Sequence, residues 1–178
     1  MREKREEEKD SYQDQGARTH LYRMTEKLFS VGDDYWIENE RGKKAFYVDG
    51  KALRLQDTLI LKDSDGNEVY EIKERLFKLR DTMDIKRDGT TIATVKKAFM
   101  TFIREKWEVE LADGPDMEIQ GDIFDYDYSI EADGQRVARI SKRFFSLSDS
   151  YGIEIAPGQD NALILAIAAA IDQLAHDR

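Results

Sequence analysis

Residues 160–178 read "DNALILAIAAAIDQLAHDR", and ten of them in succession, Ala162 to Ile171, are apolar. The run closes a chain in which 37% of residues are charged. Five alanines and two leucines among the ten favour a helix. Asp160 or Asn161 can cap its N-terminus, just past the turn-forming "PGQ" of 157–159. A bilayer-spanning helix needs roughly 18 or more apolar residues. Here the run stops at Asp172 and Gln173, so no transmembrane segment is expected. A helix that is apolar on every side must be enclosed, and the rest of the chain has to supply the enclosure.

The segment from Leu21 to Ile155 reads as short strands. In "KWEVEL" (106–111), Trp107, Val109 and Leu111 alternate with Glu108 and Glu110. "YSIEA" (128–132) and "SYGIEIA" (150–156) alternate likewise, the pattern of strands with one wet face. Glycine turns recur at Asp65-Gly66, Asp88-Gly89, Asp113-Gly114 and Asp133-Gly134, with Arg41-Gly42 in the equivalent place. Aligned on these turns, five hairpin units begin near residues 34, 57, 81, 106 and 127. With "YRMTEKLF" before them and "SYGIEIA" after them, the strands number twelve.

Twelve antiparallel strands in up-and-down order can close into a barrel without exposed edges. Such a barrel is too wide for its own side chains to fill. A helix of about 15 residues is roughly 22 Å long, and strands of seven or eight residues run about 25 Å. The expected fold is therefore all-β with one buried helix: a closed antiparallel 12-stranded barrel around a central hydrophobic C-terminal helix at about 160–175. The barrel forms a single domain over 21–176, preceded by a charged tail at 1–20 that is either a short helix or unfolded.

Three stretches carry a resemblance to a known family: "TEKLFSVGDDYWIENERG" (25–42), "IQGDIFDYDYSI" (119–130) and "ISKRFFSLSDSYGIEIAPGQDNALILAIAAAID" (140–172). By their order and spacing, the chain from about 21 to 175 resembles the LURP-one-related proteins, relatives of tubby C-terminal domains and phospholipid scramblases. The resemblance implies a tubby-like barrel with a central C-terminal helix, in agreement with the strand count. Tubby domains bind phosphoinositide headgroups through basic residues, and the scramblase relatives are linked to lipid and calcium. No motif here is specific enough to transfer those sites residue by residue.

Composition narrows the function classes. At 178 residues, one domain can bury a sufficient core. The absence of cysteine excludes disulfides, thiolate metal sites and cysteine nucleophiles. The first twenty residues contain eleven charges and no apolar run, unlike a signal peptide, so a cytoplasmic location is expected. A net charge of −9 opposes nucleic-acid binding.

Chemistry is sparse. The two histidines, His20 and His176, lie near opposite termini, and neither nucleophile-elbow nor phosphate-loop patterns occur. "DSDGNE" (63–68) offers Asp63, Asp65 and Asn67 at alternating positions, as a calcium loop does. Its glycine is fourth rather than sixth, and a strand pattern follows, so a hairpin turn is the simpler reading. Asp122, Asp125 and Asp127 read as a polar connection. No catalytic residue, metal or cofactor is assigned, and the expectation is a non-enzymatic binding or scaffold protein.

Charge placement supplies the one candidate site. All five glycine turns fall at one end of an up-and-down barrel, and they carry Asp63, Asp65, Asp88, Asp113 and Asp133. The other end takes Lys73, Arg75, Lys78, Arg80, Lys96, Lys97, Lys142 and Arg143. A basic rim of this kind could receive an anionic phospholipid or phosphoinositide headgroup. It could equally be a set of solvated strand ends, with the protein acting through a protein partner instead.

Overall fold

Alternating apolar residues become strands wherever a neighbouring strand can satisfy their backbone groups, and here every strand has two neighbours. The computed structural model describes residues 18–25, 34–50, 58–75, 82–101, 104–145 and 150–176. Twelve strands follow in order: β1 (His20–Thr25), β2 (Tyr35–Asn39), β3 (Lys44–Asp49), β4 (Thr58–Asp63), β5 (Glu68–Glu74) and β6 (Thr82–Arg87). Then come β7 (Thr90–Thr101), β8 (Arg104–Leu111), β9 (Met117–Asp122), β10 (Asp127–Ala132), β11 (Gln135–Ser141) and β12 (Ser150–Ile155). A 3-10 turn (Lys142–Phe144) lies between β11 and β12, and one helix, α1 (Asn161–His176), ends the chain. The charged segment 1–17 lies outside the described residues.

Each strand pairs antiparallel with its sequence neighbour, and β1 pairs with β12 from His20↔Ile155 to Thr25↔Ser150, so the ring closes. The turns hold as read. Asp88-Gly89 and Asp133-Gly134 are two-residue loops in which both residues have positive φ, at 50° and 77° and at 51° and 72°. That geometry matches the twist of the flanking strands and suits Asp-Gly. We call the end that carries these hairpin turns the turn end and the other the connection end.

One face of each strand points inward. Registered neighbours such as Ile72↔Ile85, Val95↔Val109 and Ile140↔Ile153 are all completely buried. The helix meets this inner face. Every residue from Ile164 to Ala175 is buried, and α1 packs against β5, β6, β7 and β12. In the ring, β6 and β12 stand six places apart, so strands on opposite sides reach the same helix. Ala166, Ala168, Ala169 and Ala170 keep the helix thin enough for that approach, and each is fully buried. Ile164, Leu165, Ile167 and Ile171 supply the larger contacts, each buried aliphatic side chain contributing about 1.5–3 kcal/mol. Among the described residues, no helix is long and apolar enough to cross a membrane.

Both ends of α1 are tied to the barrel. At the turn end the Asp160 carboxylate caps the helix, accepting the Leu163 N–H at 3.0 Å. Asp160 also accepts the Tyr70 hydroxyl at 2.7 Å, while the Arg87 guanidinium stands 3.4 Å away. At the connection end Asp172, 2% exposed, accepts hydroxyls from Tyr126 and Tyr151 at 3.0 and 3.1 Å. The β9–β10 connection turns inward there, burying Ile123 and Tyr126.

Candidate functional site

The eight basic residues expected at the rim do not form one cluster. Lys73, Arg75 and Lys96 share the outer face of β5–β7, as the registers Lys73↔Asp84 and Thr82↔Lys96 require. Lys142 and Arg143 follow β11, four places from β7 in the ring. Lys78 and Arg80 lie outside the described residues.

The β5–β7 group is largely neutralised. Arg75 makes a bidentate pair with Asp84, Nε to Oδ2 at 2.8 Å and Nη2 to Oδ1 at 2.6 Å. Those hydrogen bonds push the Arg75 pKa upward. Thr94 Oγ1 donates to the same carboxylate at 2.9 Å, and Lys96 is paired with Glu110. A guanidinium gripped by both its carboxylate oxygens offers little to an incoming headgroup.

Lys97 corrects the expected rim outright. It is 2% exposed and points into the barrel, with Nζ 5.4 Å from the Trp107 ring centroid and 6.0 Å from that of Phe124. The reason is strand periodicity: Val95 and Lys97 share the inner face, so adjacent Lys96 must face out. Of two consecutive strand lysines, only one can belong to an outer surface.

What remains exposed at the connection end is smaller and of mixed character. Lys142 is exposed, with Nζ 5.0 Å from the Tyr126 ring centroid. The Arg143 side chain is 81% exposed and lies 3.8 Å from Asp127. Both therefore lean on the β9–β10 connection, where Phe124 is 53% exposed. "DIFDYDY" reads as a polar connection, and Phe124 is not among the expected site residues, which are all basic. The local turn turns it outward while burying Ile123 and Tyr126 on either side.

The position of this surface depends on a glycine. The 3-10 turn is capped by Ser141, whose Oγ accepts the Arg143 N–H at 3.2 Å. Phe144 then packs onto Gly152 so closely that a Cβ there would lie 2.6 Å from the Phe144 Cβ. Arg139 and Arg23 lie beneath the rings of Phe144 and Phe145, with Cζ 6.0 and 5.9 Å from the respective centroids.

The alternative sites of the sequence resolve simply. Asp63 accepts the N–H groups of Asp65 and Asn67 and the Asn67 side-chain amide, each at 2.9 Å. These bonds, the Asn67 side chain foremost, hold its carboxyl below the ordinary value. The carboxylate is spent on its own hairpin turn. In the "DIFDYDY" connection, Asp122 accepts the Asp125 N–H at 3.0 Å, again a local turn. His20 starts β1 at the turn end while α1 carries position 176 to the connection end, so the two histidines share no site. Among the described residues, no group of three or more His, Cys, Asp or Glu could hold a metal ion.

Comparison with known proteins places this architecture. A family model described as LURP-one-related matches residues 20–172. A Bacillus subtilis (strain 168) protein named YxjI is 30% identical over 155 residues, covering 86% of this chain and 93% of that protein. The Arabidopsis thaliana protein LURP-one-related 15 is 23% identical over 170 residues, covering 85% of this chain and 78% of its own. The X-ray structure of an Arabidopsis thaliana protein is similar in fold, with TM-score 0.68 at 18% identity over 92% of this chain and 96% of that one. The ring of twelve strands, the C-terminal helix and the match over residues 20–172 make this chain a member of the LURP-one-related family.

Proposed function

We propose that this protein is a non-enzymatic binding protein of the cytoplasm, with a tubby-like barrel whose central helix acts as a structural plug. Its connection end recognises an anionic phospholipid surface through Lys142, Arg143 and Phe124. The supporting observation is the joint exposure at the connection end of two cations that follow β11 and one aromatic ring on the β9–β10 connection beside them, with Arg143 81% and Phe124 53% exposed. Cations attract anionic headgroups, each contributing about 1 kcal/mol near such a surface, while an aromatic ring favours the interfacial zone. The non-enzymatic reading is supported by the interior, where Tyr126 and Tyr151 each donate a hydroxyl to Asp172.

Exposed Asp122, at the end of β9, and Asp125 lie on either side of Phe124 and dilute the positive field. Binding is therefore expected to be weak and salt-sensitive. Co-sedimentation with anionic and with neutral liposomes, at low and physiological salt, tests the reading. Pelleting that requires anionic lipid, and that is lost in K142A/R143A and reduced in F124A, is the expected result. Failure to pellet in every condition removes the lipid reading and redirects the search to a protein partner.

A further inference from the structure

Strand β11 carries arginines at 136 and 139, three residues apart, which an unbroken strand would send to opposite faces. The pairing with β10 shows otherwise. Ile130 faces Ala138, but the next residue, Glu131, faces Arg136, so Val137 is an extra residue bulged out of the ladder. Bulges of this kind re-aim side chains. Here the bulge returns Arg136 to the outer face with Arg139, whose partners Glu131 and Ser129 both point outward. The bulged carbonyl is satisfied by the Ala156 N–H at 2.9 Å.

Those two arginines border a cavity of about 140 Å³, open on one side, with Thr19, Glu154 and Ala156 completing its wall. One water occupies roughly 10–15 Å³ on the same measure, so there is room for a group of several heavy atoms. Among the described residues no ion pair engages Arg136 or Glu154, and Arg139 has only Asp127, at 3.8 Å. This differs from Arg75, which Asp84 holds in a fork. Paired guanidiniums fit the oxygens of a phosphate group. Glu154, registered directly across from Arg139, disfavours a bare anion but accepts a hydrogen bond from a cationic substituent.

The geometry points to a binding site for a phosphorylated amino-alcohol on the outer face of β11 and β12, formed by Arg136, Arg139, Thr19 and Glu154. The arginines hold the phosphate, Thr19 can donate its hydroxyl, and Glu154 takes the ammonium. This chemistry is shared by free phosphoethanolamine and by an ethanolamine phospholipid headgroup. The site includes none of Lys142, Arg143 and Phe124, although Arg139 shares the Asp127 carboxylate with Arg143, at 3.8 Å from each.

Calorimetric titration of the full chain with phosphoethanolamine, inorganic phosphate and ethanolamine tests it. Saturable binding is expected for phosphoethanolamine, weaker binding for phosphate and none for ethanolamine. R136Q should weaken phosphoethanolamine binding at least about tenfold, the scale of a lost charged hydrogen bond, without moving Tm. E154Q should abolish the preference over phosphate, and K43A, at an exposed position on the β2–β3 turn, should change nothing. Competition by vesicles of phosphatidylethanolamine in phosphatidylcholine, against phosphatidylcholine alone, would identify the lipid as the source, and lack of competition the free compound. No saturable binding of phosphoethanolamine, or full affinity in R136Q, would overturn the site. Equal affinity for phosphate and phosphoethanolamine in the unmodified protein would overturn the role of Glu154 and with it the ligand class.

Discussion

The hydroxyl of Tyr126 donates to Oδ1 of Asp172 at 3.0 Å, joining the β9–β10 connection to the C-terminal part of the helix. Tyr126 stacks on Tyr151, centroids 4.4 Å apart, and Tyr151 donates to the other carboxylate oxygen at 3.1 Å. Tyr126 also sits at φ 51°, a conformation rarely adopted by a bulky residue. The tertiary bond offsets that backbone cost. Y126F should therefore lower unfolding stability by about 1–3 kcal/mol, since a buried acceptor loses a donor. Denaturant unfolding of the variant measures it, and an unchanged midpoint would mean the bond contributes nothing net.

Enclosure of the helix has a sharper test. Leu165 and Ile167 are both 0% exposed. L165D or I167D would bury an unpaired charge, at a cost of several kcal/mol. Thermal unfolding should fall steeply or the protein fail to accumulate. A midpoint matching the unmodified chain would place the helix outside the barrel.

Two glycines should resist substitution for different reasons. At Gly121, φ is +122° and a Cβ would lie 2.5 Å from the Asp127 carbonyl oxygen, so neither conformation nor space allows a side chain. At Gly152 the obstruction is the Phe144 side chain at 2.6 Å. Overpacking of this sort costs typically about 1–3 kcal/mol. G121A should reach the upper end of that range and G152A the lower, because the turn bearing Phe144 can shift. Calorimetric comparison of the two gives the order, and G152A should also alter liposome binding by displacing Lys142 and Arg143.

Alkaline pH should unfold the protein cooperatively. Burial first, and the Asp172 charge second, hold Tyr35, Tyr128 and Tyr151 well above the ordinary value of 10.0. Tyr70 is raised too, by burial and by its bond to Asp160. For an acid whose folded pKa is raised, the unfolded state binds fewer protons above its own pKa, so stability falls as pH rises. The effect is absent below about pH 9 and grows by roughly 1.4 kcal/mol per pH unit for each such tyrosine above 10. Circular dichroism and tyrosinate absorbance should change together. Gradual tyrosinate formation with the fold intact would contradict the burial.

Much of this fold is legible in the chain itself. Alternation in "KWEVEL", the spaced Asp-Gly turns and the apolar run after Asn161 are local signals, since φ preference and side-chain period act within a few residues. They suffice for twelve strands, one closing helix and an acidic turn end. The Lys96-Lys97 pair was also within reach, because extending the inward series past Val95 places Lys97 inside. A rim that takes in both lysines breaks the period-two alternation of β7.

The site is another matter. Whether Arg75 is available depends on Asp84 across the ladder, and whether Lys142 meets Arg75 depends on how many strands separate them in a closed ring. The alignment of Arg136 with Arg139 depends on a bulge, created only when β11 pairs with a shorter run of β10. Tyr126 is buried against Asp172, 46 residues away, while Phe124, two residues before it, faces solvent. The sequence by itself determined the strands, their turns and the buried helix, because those follow from interactions among near neighbours. Only the tertiary structure decided which charges are spent, which are buried and which face solvent together, because each of those depends on a partner distant in sequence.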